Sequence, residues 1–155
     1  MRTALIAGCT LLLMASQVLG HCQIPCGIYD DERRLDTIAE DIVTVEKAIK
    51  QVEALSNESP TDYNQIVRWI NVKEQHADDI AEIASWYFLQ QRIKPVESSE
   101  GKAYEKYIEQ LTMLHEMMIY SMKVKQSLDL TNVEMLKSTL HDFRNAYLGE
   151  KEHYH

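Results

Sequence analysis

Leu35, Ile38, Ile42, Val45, Ile49 and Val52 are spaced alternately three and four residues apart. Residues at that spacing share one face of an α-helix, whereas the faces of a strand repeat every second residue. The stripe predicts a helix from about Asp31 to Leu55, with Asp30 and Asp31 suited to its N-terminus by capping and by the helix dipole. A helix with one apolar face has to bury it, so the rest of the chain must supply matching faces.

Three further stretches do so. Thr61–Arg92 carries Ile66, Ile70, Ala77, Ile80, Ala84 and Tyr87 on one face, and Lys94-Pro95 ends it. Ala103–Leu128 carries Tyr107, Leu111, Leu114, Met118 and Met122, and Asn132–Leu148 carries Val133, Leu136, Leu140, Phe143 and Tyr147. The breaks are a Ser-Asn-Glu-Ser-Pro cluster at 56–60 and a polar loop at 97–101. No stretch alternates like a strand. Four amphipathic helices with short connections predict an all-α, up-down-up-down four-helix bundle over 30–150, with a tail at 151–155. Many unrelated functions use that fold, so function has to be sought elsewhere in the chain.

The N-terminus is where the chain departs from bland helical patterning. Arg2 is followed by an apolar run, Ala4–Leu13, and then by Val18 and Gly20, small enough for a cleavage site. This is a signal-peptide pattern over 1–20, too short to span a membrane. A lipobox-like Ile6-Ala7-Gly8-Cys9 is a competing reading of the same leader. Cleavage after Gly20 predicts an exported protein, periplasmic or secreted, with no stable membrane contact. The net charge of −8 becomes more negative once Arg2 is lost, which argues against nucleic acid as a partner.

The same cut makes His21 the first residue. The hook His21-Cys22-Gln23-Ile24-Pro25-Cys26-Gly27-Ile28-Tyr29 then offers a free α-amine, an imidazole and two thiols. The amine, the Cys22 backbone nitrogen and the Cys22 sulfur close adjoining chelate rings on one metal ion. Pro25 restricts the turn that brings Cys26 to a fourth corner, and the His21 imidazole can cap an axial side. A tetragonal set of nitrogen and thiolate donors points to nickel or copper. A structural zinc site would call for a second cysteine pair, and of the three cysteines Cys9 leaves with the leader. Two other readings fit the same residues: a Cys22–Cys26 disulfide on a non-enzymatic secreted bundle, and a copper-binding module.

His21, Cys22, Pro25, Cys26, Gly27 and Tyr29 at a processed N-terminus resemble the nickel hook of nickel-containing superoxide dismutases. The likeness continues more thinly through Val72-Lys73-Glu74-Gln75-His76-Ala77, Lys94-Pro95 and Tyr104-Glu105-Lys106-Tyr107. The family often has an acidic residue where this chain has Gln23. The resemblance implies a superoxide dismutase with nickel as cofactor, held by His21, Cys22 and Cys26, and with His21 and Tyr29 at the catalytic centre. It implies Asp36 and Arg68 as the carboxylate and arginine that orient the axial imidazole, and a homohexamer as the assembly. Thiolates and a deprotonated amide are strong donors that stabilise nickel(III), which hydrated nickel(II) does not readily reach.

The remaining candidates have plainer readings beside the functional ones. Lys73 falls on the apolar seam, either snorkelling at a bundle end or serving as an interface charge. Met113, Met117, Met118 and Met122 read as core filling. His76, His115 and His141 lie on separate helices and read as solvated or satisfied, while His153 and His155 belong to the tail. The two Glu-x-x-His pairs of a di-iron bundle are missing from the core helices.

Overall fold

The structure, a computed structural model, describes residues 30–149. The leader, the hook with His21, Cys22, Cys26 and Tyr29, and the tail at 151–155 lie outside the described residues. Helix α1 is Asp31–Ser56, α2 is Tyr63–Glu82, α3 is Lys102–Gln126 and α4 is Thr131–Leu148. α1 packs chiefly on α2 and α3 on α4, with α2 against α3 and α1 against α4 completing an all-α four-helix bundle. Among the described residues no strand occurs, and no helix is long and apolar enough to cross a membrane.

The caps explain where the first two helices begin. The Asp30 carboxylate accepts from the Glu32 backbone N–H, and that of Asp62 accepts from Gln65 N–H. Along α1 all six residues of the expected stripe are buried. On α4, Val133, Leu136, Leu140 and Phe143 are buried and Tyr147 packs on the core.

The expected faces of α2 and α3 are partly rotated. Ile70 and Met122, placed on the buried face from sequence, are 36% and 46% exposed. The seam of α3 instead runs through Gln110, Met113, Leu114, Met117, Ser121 and Val124. Its two polar members are satisfied internally: Gln110 donates to Ala146 O and Ser121 to Met117 O. Apolar residues occur on several sides of α3, and hydrogen-bonded Gln110 and Ser121 can stand in the seam without a desolvation penalty.

Lys73 is buried, and its ammonium donates to Lys125 O at 2.7 Å and Ser127 O at 3.4 Å. These carbonyls close the C-terminal end of α3, where a positive charge complements the helix dipole. The side chain thus lies at a bundle end, as a snorkelling lysine would, but its head is sheltered and holds α2 to α3. Lys73→Met keeps the stem and removes the donor. We expect a loss of about 2 kcal/mol, read as a lower urea midpoint at unchanged m-value.

The second expected helix is not uniform. After Glu82 the chain winds as a π-helix over Ile83–Arg92 before the turn into Lys94-Pro95. The Ile93 N–H donates to Phe88 O, five residues back, at 2.9 Å. The wider winding sets residues five apart above one another, which an α-helix would turn about 140° away.

Candidate metal centre and its supports

Asp31 opens α1 two residues after Tyr29, so it marks where the hook joins the bundle. Four side chains meet there. Asp31 Oδ1 accepts from the Tyr87 hydroxyl and, at 2.7 Å, from Arg92 Nε. Asp31 Oδ2 accepts from the Tyr147 hydroxyl at 2.7 Å. Arg92 Nη2 also donates to the Tyr87 oxygen at 2.8 Å. Tyr87 and Arg92 are five residues apart, and the π-winding is what turns both toward one carboxylate.

Beneath the clamp lies an aromatic cluster. Phe88 meets Tyr87, Phe143 and Tyr147 edge to face, with centroids 5.1–5.4 Å apart. These rings fix the two phenols from below. The guanidinium groups of Arg34 and Arg92 lie 5.4 and 4.7 Å from the Tyr87 ring centre.

Partial burial pushes the Asp31 carboxyl up. The hydrogen bonds from Tyr87, Tyr147 and Arg92 outweigh that and hold it below the usual carboxylate range. Burial, then the hydrogen bond to Asp31, raises both Tyr87 and Tyr147. The hydrogen bond with Tyr87 leads in raising Arg92 further. The clamp is therefore a charged carboxylate–guanidinium pair with two neutral phenols at neutral pH.

The two residues expected to orient the axial imidazole are not joined to each other. Asp36 is exposed and pairs with Arg144 of α4. Arg68 is exposed, and its guanidinium makes no hydrogen bond or ion pair with another described residue. His115 and His141 are exposed, as expected, and His141 contacts Asn145 at 3.1 Å.

His76 is different. Its Nδ1 lies 2.7 Å from Oδ1 of Asp41, a carboxylate only 7% exposed. The other Asp41 oxygen, Oδ2, has no hydrogen-bond partner among the described residues. Burial holds the Asp41 carboxyl above its usual range; the His76 contact opposes this, and Asp79 and Glu40 add to it. This pair did not stand out from sequence. Asp41 carried a signal, since it lies three residues from Ile38 and four from Val45, a carboxylate inside an apolar face.

A family description, nickel-containing superoxide dismutase, matches residues 16–151 of the chain. The protein belongs to the nickel-containing superoxide dismutase family. Among curated proteins and among solved structures, nothing matches the chain. As a nickel-containing superoxide dismutase it is an oxidoreductase with superoxide as substrate and nickel as cofactor. The matched stretch takes in residues 21–29. Their donor chemistry fits the metal: two thiols and an imidazole suit nickel better than harder ions do.

Proposed function

We propose that the dismutase centre is the mature N-terminus of an exported chain. Signal peptidase removes residues 1–20, and His21, Cys22 and Cys26 hold the ion through amine, imidazole, backbone nitrogen and two thiolates. The observation that carries this reading is the donor set itself, gathered at 21–26 behind a leader-like segment. Nickel, when bound, supplies a one-electron couple between its divalent and trivalent states. Two superoxide anions and two protons leave as dioxygen and hydrogen peroxide.

The protein's own residues hold and guard the site. Tyr29, three residues after Cys26, would lie near a bound ion and limit what approaches it. By the family resemblance Asp36, turned from its pair with Arg144, and Arg68 would orient the His21 imidazole and fix its tautomer. The clamp around Asp31 sets the point from which the hook departs. Arg34, over the Tyr87 ring, brings positive charge to that end of an otherwise acidic chain, which supports local attraction of an anion.

Assembly as a homohexamer belongs to the same proposal. Tyr63, Val67 and Ile70, at helical spacing on α2, are 74%, 54% and 36% exposed. An apolar row facing outward supports burial against another copy.

Intact-mass spectrometry of the native protein, with metal analysis and thiol counting, tests the reading. We expect a chain beginning at His21, one nickel per chain and two cysteines outside any disulfide. A chain with another first residue, or a Cys22–Cys26 disulfide in the active protein, would overturn it.

A further inference from the structure

Asp41, His76 and Asp79 each offer a ligating atom, and these atoms all lie within 4.8 Å of one another. Asp41 comes from α1, while His76 and Asp79, three residues apart, share a face of α2. None of the three is a donor of the hook.

The buried carboxylate is the second observation. Asp41 sits within the α1 stripe, and its contact with His76 satisfies Oδ1 alone. Native proteins seldom leave a buried carboxylate oxygen unpaired, and each exception calls for a partner. Asp79 and Glu40 lie close enough to Asp41 to add negative charge. The neighbourhood thus combines a desolvated anion, an open lone pair and a surplus of negative charge. A cation relieves all three.

We propose that Asp41, His76 and Asp79 form a second metal site, for a divalent ion of the zinc class. One imidazole nitrogen and two carboxylates give a neutral complex with a divalent ion. The set contains no thiolate, so it does not favour the soft ions that sulfur selects. Three protein ligands leave one position of a four-coordinate ion open to water.

The spacing suits the ion after small side-chain rotations. Ligand atoms around tetrahedral zinc are about 3.3 Å apart, given metal–ligand bonds near 2.0–2.1 Å. The 2.7 Å contact between His76 and Asp41 opens slightly on binding, and the wider spacings close. Gln75 donates to Asp79 Oδ1 at 2.8 Å, which orients that carboxylate and leaves its other oxygen for the ion. The bound ion would pin α1 to α2 and favour the folded chain, because the unfolded chain does not assemble the three ligands.

The test removes competing donors first. In a full mature chain carrying Cys22→Ser, Cys26→Ser, His153→Ala and His155→Ala, zinc is added, excess is dialysed away and the retained metal is counted. Thermal unfolding is followed with and without zinc. We expect one zinc per chain and a raised Tm. Asp79→Asn, a change at a half-buried position, should weaken zinc binding at least tenfold and remove the Tm rise, and His76→Gln should do the same. No retained zinc, or equal retention in both variants, would overturn the proposal. Neither result bears on nickel at the hook.

Discussion

One extra residue placed before His21 is expected to abolish superoxide disproportionation while leaving the helical bundle folded. In the proposed mature chain, which begins at His21, the added residue turns the His21 amine into an amide and moves the free amine one position away. The amine can then no longer share a chelate ring with the Cys22 nitrogen. Both thiols and the imidazole remain, so this variant isolates one donor. Cys22→Ser and Cys26→Ser should match it, since a hydroxyl is a harder and weaker donor than a thiolate. Nickel content after dialysis and the superoxide decay rate are the two measurements. Both should fall to the level of metal-free protein, with the Tm of the bundle close to that of the metal-free parent. Full activity in the extended chain would remove the amine from the ligand set.

The second large effect is expected at the other end of the same connection. Asp31→Ala leaves Arg92 and two partly buried phenols without their common acceptor. Hydrogen bonds to a charged group contribute about 1.5–3 kcal/mol each, and bonds that share one acceptor are not additive. We expect a loss of about 3 kcal/mol, a fall in Tm on the order of 10 °C.

The pH dependence follows from the lowered Asp31 pKa. A carboxyl lowered on folding contributes stability that is present above its unfolded value. That contribution is lost as pH falls through the folded value. The gap in stability between the parent and Asp31→Asn should therefore be constant near neutrality, and should shrink below about pH 4. A gap that widens in acid would mean Asp31 is not the charged member of the clamp. Because the clamp lies where residues 21–29 join α1, Asp31→Asn should also speed loss of nickel to a chelator, a readout independent of turnover.

Legibility varied with the range of the interaction. The α1 stripe could be read residue by residue because every third or fourth position is apolar and most of its neighbours are polar. α3 has apolar side chains on several sides, and its buried face was decided by what α4 and α2 present, which no local pattern records. The proposed donors at 21–26 are sequence neighbours, so the spacing that prompts the proposal can be read along the chain. The clamp joins residues 56, 61 and 116 positions apart. The Asp41–His76 contact spans 35. Such pairs are set by helix packing. The only trace they left beforehand was the misplaced carboxylate at position 41.

The π-wound segment also limits which lengths of chain are tolerated. Were one residue deleted ahead of Tyr87, between 83 and 86, a regular α-helix could form with Tyr87 and Arg92 still five positions apart. Tyr87 and Arg92 would then swing to different sides, and the carboxylate on α1 would keep only one of them. The residue count of this stretch is therefore constrained as much as its composition, through a charge borne by a different helix.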